Sequence, residues 1–274
     1  MINDSQTNKV YLAEGLSHYE EAFGNLREAL EERSIATAIL PRTASEKHVW
    51  ARDYMPLQLR KGAFLLYEYL PDYLKDSEEY IPDFRAIAKD LGLDCATTDI
   101  VLDGGNVVKC GGKFILTDKI FAENPKWYRL ALVAELERLL KAQAVIIPWD
   151  RYEMFGHADG MVRYISGSRV LLNDYCDFDP YLRERLLKCL RPHFEVEELE
   201  FDVPRRNRLS WAYLNFLQVG NCIFVPGLGA REDALAVRQL RHFFPRSEVV
   251  QIQGCAPLAR DGGALNCVSW NILA

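Results

Sequence analysis

The chain has 274 residues, 49% of them apolar, and carries a net charge of −6 at neutral pH. That composition supports a sizeable buried core and argues against disorder. The acidic balance disfavours nucleic acid as a partner, because phosphate binding wants a basic face, and no apolar run reaches the roughly 20 residues that a bilayer span needs. Seven cysteines are scattered without a Cys-x-x-Cys pair, which disfavours a disulfide framework and a zinc ribbon. The segment Met1-Ile2-Asn3-Asp4-Ser5-Gln6 lacks the basic and apolar regions of a signal peptide. A cytoplasmic protein with reduced thiols is expected. No linker or low-complexity tract divides the chain, so residues 1–274 are read as a single domain.

In chain order, a helix is predicted over residues 16–33, with Ser17 and Glu20 at capping-box spacing and Leu16, Tyr19, Phe23, Leu26 and Leu30 on one face. A second helix starts at Pro82, with Phe84, Ile87 and Leu91 inward, and a third covers about residues 126–142. The pair Asp179-Pro180 opens a fourth, an N-cap followed by proline in the first turn, and a fifth covers about residues 231–244. A short apolar strand follows each helix, at residues 37–40, 98–102, 144–148, 194–199 and 249–252. Then come a polar loop and a hairpin, as in residues 107–108 to 114–116 across Gly111-Gly112, or 162–164 to 170–172 across Gly167.

The unit helix–strand–loop–hairpin thus repeats about five times at a spacing of roughly fifty residues. The last hairpin lacks a second strand after Trp270-Asn271-Ile272. The N-terminal strand Lys9-Val10-Tyr11-Leu12 can supply it and close a ring, which leaves no bare sheet edge.

The chemically suggestive residues recur at one phase of this repeat. Asp53 lies in Trp50-Ala51-Arg52-Asp53, Asp103 in Asp103-Gly104-Gly105-Asn106, and His157 and Asp159 in Gly156-His157-Ala158-Asp159. Asn215 lies in Tyr213-Leu214-Asn215-Phe216 and Cys267 after Gly262-Gly263. In a cyclic array these loops converge at one end of the axis.

Each residue has a blander alternative. A lone cysteine is more often a small buried hydrophobe than a nucleophile, and that is how Cys110, Cys222 and Cys255 are read. Cys267 is set apart by its glycine pair and its phase. His18 and His242 fall on predicted helices and are read as ordinary; His48, close to the Trp-Ala-Arg-Asp loop, is less easily dismissed. His157 is preferred because Asp159 is two residues on, projecting to the same side of a strand. Arg52 beside Asp53 reads as a local ion pair, and Gly104-Gly105 as a turn, since neither a phosphate loop nor a dinucleotide fingerprint is present. One histidine and one cysteine among carboxylates make a poor metal set.

Taken together, these segments resemble the guanidine-modifying (pentein) superfamily, in its agmatine deiminase and bacterial-type peptidylarginine deiminase branch. That branch carries Trp-x-Arg-Asp, acidic-Gly-Gly, Gly-His-x-Asp, Tyr-x-Asn-Phe and Gly-Gly-x-x-x-Cys motifs, and all five occur here in order. The chain departs from the branch in having Asp103 where Glu is usual and Asn266 where His often precedes the cysteine. It is also shorter than typical agmatine deiminases and lacks an N-terminal Trp-Pro motif.

The resemblance implies a five-bladed pseudo-symmetric α/β propeller. It implies a hydrolase that converts a small cationic guanidine to a ureido product and ammonia, with no metal and no organic cofactor. Cys267 would be the nucleophile, His157 the proton shuttle and Asp103 its orienting partner. Asp53 and Asp159 would grip the guanidinium, with Trp50 and Asn215 lining the pocket. Alternatives are an amidinotransferase of the same fold and a non-catalytic guanidinium binder. The sequence does not choose among agmatine, arginine, methylarginine and peptide arginine. Arg151, Arg163, Arg205, Arg206 and Arg208 are candidate cations for a substrate carboxylate. A homo-oligomer is compatible with the sequence.

Overall fold

The computed structural model describes residues 1–41, 49–153, 155–176, 178–201 and 209–274. The strands form five three-stranded sheets. In chain order they are β1 (Lys9–Leu12), β2 (Ala36–Ile39), β3 (Leu57–Arg60), β4 (Ala63–Glu68), β5 (Cys95–Val101), β6 (Val108–Cys110), β7 (Lys113–Thr117), β8 (Gln143–Ile147), β9 (Val162–Ser166), β10 (Arg169–Leu172), β11 (Glu195–Glu198), β12 (Leu217–Val219), β13 (Cys222–Pro226), β14 (Glu248–Ile252) and β15 (Ser269–Ile272). Four sheets are built alike. A hairpin supplies two antiparallel strands, and the chain then returns through a helix to add a third strand parallel to the second. Glycines at positive φ make the hairpin turns possible, Gly111 at 68° and Gly167 at 59°.

The fifth sheet is assembled from both ends of the chain. β15 pairs antiparallel with β1, Lys9 opposite Ile272 and Tyr11 opposite Trp270, and β1 pairs parallel with β2. This is the closure that the unpaired last hairpin called for, and the protein is a five-fold pseudo-symmetric α/β propeller. Trp270 anchors it. Its ring packs 5.1 Å from Tyr11 and 5.8 Å from Phe64, and its indole N–H donates to Pro56 O at 2.9 Å.

Each connecting helix buries one stripe against its sheets. Leu132, Leu136 and Leu140 of helix Arg129–Leu140 are buried, as are Leu182, Leu186, Leu187 and Leu190 of helix Pro180–Leu190. Asp179 caps the latter by accepting from Leu182 N at 2.9 Å, as its sequence foretold. The first helix differs from expectation. It runs Glu20–Glu32, preceded by a 3-10 turn over Glu14–His18, and its N-cap is Tyr19. Ser17 therefore caps nothing; a bond between His18 Nδ1 and Gly15 O closes the turn instead.

Trp270→Ala should cost about 3–5 kcal/mol, because the indole is buried and joins the two ends of the chain. Urea unfolding of the variant checks this; a loss below ~1 kcal/mol would mean that closure does not depend on the residue.

Candidate active site

A short helical turn precedes β3, β6, β9 and β12, at Ala51–Tyr54, Gly104–Asn106, Ala158–Gly160 and Ser210–Tyr213. The segment 264–267 occupies the same place before β15. These turns carry the candidate residues to one end of the axis. His157 and Asp159 thus sit on a 3-10 turn and not on a strand, since β9 begins only at Val162. The turn is tied down from both sides. Glu153 accepts from the backbone N–H groups of Gly156 and His157, and Thr117 Oγ1 donates to Gly156 O at 2.7 Å.

Asp53, Asp103, His157, Asp159 and Cys267 are each at most 7% exposed. His157 lies between two carboxylates. Its Nε2–H donates to Asp103 Oδ2 at 2.8 Å, and its Nδ1 stands 3.6 Å from Asp53 Oδ1. Burial opposes the imidazolium, but Asp53 and then Asp103 outweigh it and push its pKa up to about 10. Asp103 is held below the usual carboxylate range: burial works against this, and the His157 hydrogen bond, the His157 charge and Lys119 overcome it. Lys119 Nζ reaches Asp103 Oδ2 at 3.3 Å and is itself buried, with Glu123 at 2.9 Å and Asp72 at 3.0 Å. Asp53 is pushed up to about 7, by burial above all; His157 pulls it down while Asp103 and Asp159 push it further up.

Cys267 Sγ stands 3.8 Å from Asp159 Oδ2, and Asn266 Nδ2 donates to the same oxygen at 2.6 Å. Burial, and then Asp159 and Asp53, push the thiol well above its ordinary pKa. Asn215 Oδ1 accepts from Cys267 N at 3.2 Å, and Asn266 N donates to Asn215 O at 3.1 Å. Asn215 therefore stands behind the cysteine, gripping its backbone, and is not part of the cleft wall. Arg52 turns away from Asp53, against the expected local ion pair. Its side chain donates to Asn271 Oδ1 at 2.6 Å and to Asn266 O at 3.3 Å.

A narrow cleft is lined by Trp50, Asp53, Tyr73, Phe155, His157, Gly262 and Cys267. Phe155 and Gly262 also border a wider cavity of about 530 Å³, with Tyr152, Phe178, Leu209, Trp211 and Arg260 on its walls. Two glycines are required by contact. A Cβ on Gly105 would lie 2.6 Å from Asp53 Oδ1 and 2.9 Å from His157 Nδ1. A Cβ on Gly263 would lie 1.9 Å from Trp50 Cζ3. Gly105 N instead donates to Asp53 Oδ1 at 2.9 Å.

The structure thus brings Trp50, Asp53, Asp103, His157, Asp159, Asn215 and Cys267 together. Sequence reasoning missed Tyr73, Phe155 and Lys119. Phe155 adjoins Gly156-His157, a signal that was available; Tyr73 and Lys119 sit in unremarkable local sequence. Arg151 stacks on Trp149 at 4.2 Å, and Arg163 faces Asp4. His48, Arg205, Arg206 and Arg208 lie outside the described residues. Among the described residues no group of three or more His, Cys, Asp and Glu is placed to hold a metal ion, and no helix is long and apolar enough to cross a membrane.

Five pseudo-equivalent blades around such a set define the guanidine-modifying, pentein class. Residues 2–272 match the Porphyromonas-type peptidyl-arginine deiminase family, and the chain belongs to it. An agmatine deiminase of Medicago truncatula is 25% identical over 210 residues, 62% of this chain and 56% of the relative. Matches to the curated relatives span 56–61% of those proteins' length. Among solved structures, a C. jejuni agmatine deiminase superposes with a TM-score of 0.79 at 16% identity, covering 100% of this chain and 95% of that one. The same enzyme has been solved with substrate bound, as a Cys-to-Ser variant. An amidinotransferase of Microseira wollei shares the fold with a TM-score of 0.69 at 11% identity, over 99% of this chain and 96% of that one.

The raised pKa of His157 makes a pH prediction. Its folded value of about 10 exceeds the unfolded value of about 6.5. The stabilisation it contributes is therefore fully present below about pH 6.5 and is lost as pH rises through about 10. NMR titration of the imidazole should show the cation throughout neutral pH, and Asp103→Asn should move the midpoint down. A wild-type midpoint near 6.5 would contradict the assigned ion pairs.

Proposed function

We propose that this chain is a cysteine-dependent deiminase that hydrolyses a small cationic guanidine to a ureido compound and ammonia. Residues 1–274 would act as one catalytic domain in the cytoplasm. The observation that carries the reading is the convergence on one cleft of a thiol, an imidazolium and the Asp53 carboxylate from three separate turns, with Asp159 3.8 Å from the thiol.

A guanidinium carbon is a weak electrophile because its charge is delocalised, so attack needs a soft nucleophile and a fixed cation. Asp53 and Asp159 hold the planar cation through charge-assisted hydrogen bonds. Trp50, beside them, offers a flat wall. The resting site is poor in countercharge for a thiolate, because carboxylates push the Cys267 thiol up. The incoming cation reverses that balance. It draws the thiol proton off to solvent and lowers Asp53 toward full ionisation.

Cys267 Sγ then adds to the guanidinium carbon. His157 gives a proton to the departing nitrogen, and the C–N bond breaks, leaving a thiouronium and ammonia. The imidazole, now neutral, takes a proton from water as the water oxygen adds to the same carbon. The C–S bond breaks as the hydroxyl proton of the adduct passes to the sulfur, which restores the resting thiol, and the ureido product departs. Asp103 keeps Nε2 occupied, so the proton moves at Nδ1, the nitrogen on the Asp53 side. Asn215 positions the cysteine by gripping its backbone.

Ammonia release from agmatine, arginine, methylarginines and a blocked arginine peptide tests the proposal. Turnover of one of them without an added amine is expected, with loss of at least about 10⁴-fold in Cys267→Ala. A requirement for an amine acceptor would make the protein an amidinotransferase. Undiminished turnover in Cys267→Ala would end the assignment of the nucleophile.

A further inference from the structure

We propose that a second site, on the far side of Asp159 from the thiol, binds one small monovalent inorganic anion of about chloride's size between Arg52 and Arg163. A cavity of about 20 Å³ lies there, bordered by Asp4, Arg52, Lys109, Asp159, Arg163 and Asn266 among others. That volume is of the order that one water molecule or one small monatomic ion needs.

The charges around it do not balance. Arg52 and Arg163 are 7% and 4% exposed, and the Lys109 side chain is 9% exposed. Asp4 answers two of these cations, with Oδ1 2.6 Å from Lys109 Nζ and Oδ2 3.2 Å from Arg163 Nη2. Arg52 hydrogen-bonds to neutral acceptors, the side-chain oxygen of Asn271 and the carbonyl of Asn266, and feels the Asp4 charge only without a direct bond. The Arg163 guanidinium lies over the Phe216 ring at 4.6 Å, with Asp4 in direct contact and the Asp159 charge beyond it. The remaining negative charge is Asp159, which is held by the Asn266 amide and faces Cys267. Buried charges need partners, and two guanidinium groups here have donors to spare. Burial above all holds Lys109 below the usual amine range; Asp4 opposes this, and Arg52 and Arg163 add to it.

The site is coupled to the cleft through its shared wall. Once a guanidinium occupies the cleft it engages Asp159, and the rear cations are left with Asp4 alone. An anion behind the wall and a cation in front of it attract, so each tightens the other's binding, by the same factor in both directions.

Two readouts decide the question without any turnover. Crystals grown in sodium bromide should show an anomalous scatterer within hydrogen-bond reach of Arg52 and Arg163. The unfolding midpoint should rise with the logarithm of chloride concentration when chloride replaces gluconate at fixed ionic strength, by about 2–4 °C per tenfold increase above the dissociation constant. Arg163→Gln should abolish the rise, and Arg52→Gln serves in its place if that variant does not fold. For the guanidine that the wild type turns over, KM should fall as chloride is added. Absence of an anomalous peak at the cavity, with equal midpoints in chloride and gluconate, overturns the proposal.

Discussion

The bond between His157 and Asp103, 2.8 Å long and sealed from solvent, sets the charge of everything around it. Because Asp103 is held ionised by His157 and by buried Lys119, the imidazole stays protonated. It then acts as a resident cation between Asp103 and Asp53. Without it, Asp53, Asp103 and Asp159 would be three carboxylates in one dry space, an arrangement in which not all could ionise. Asp103 is one methylene shorter than the Glu common in the branch. It makes the contact because the glycine turn 104–106 lets the backbone approach closely: at Gly105 any side chain would strike Asp53 and His157.

That approach is possible only if the ring is closed. Arg52 N donates to Cys267 O at 3.0 Å, so the first turn of the site is stitched directly to the last. The cysteine owes its position to both ends of the chain, through the β1–β15 pairing and through Asn215 behind it. Polar residues of the edge strands, Lys109, Arg163 and Asn271, meet Asp4 on the other side of the same floor. The axis of the propeller is thus a column of buried charge, negative where the thiol stands and positive behind it, and the apolar sheets around it hold the two apart.

Much of this was legible in the sequence because it is periodic. The recurring helix, strand and hairpin fixed the blade, and the unpaired strand at Trp270 demanded a partner that only residues 9–12 could supply. The in-phase loops placed Asp53, Asp103, His157, Asp159 and Cys267 at one end. Local capping was less legible. Ser17 and Glu20 have the right spacing, but a 3-10 turn and Tyr19 take the helix entrance. Arg52 was read from its neighbour Asp53, whereas its side chain answers to residues more than two hundred positions away. Lys119 and Tyr73 escaped because a lysine on a helix and a tyrosine in a loop carry no signature. Only the three-dimensional return of the chain gives them a role.

On the proposed reading, the electrostatics explain why a site with so many carboxylates would favour a cation and then react with it. At rest the thiol is protonated and Asp53 is only partly ionised near neutral pH, so the cleft is less negative than its sequence suggests. A guanidinium entering between Asp53 and Asp159 stabilises both carboxylates and the thiolate together. An anion gains none of these and meets all of the repulsion. A neutral isostere fits the shape but leaves the thiol protonated. On that reading, selection for the cation and activation of the nucleophile are one event, and the same charge that admits the ligand would make the sulfur able to attack it.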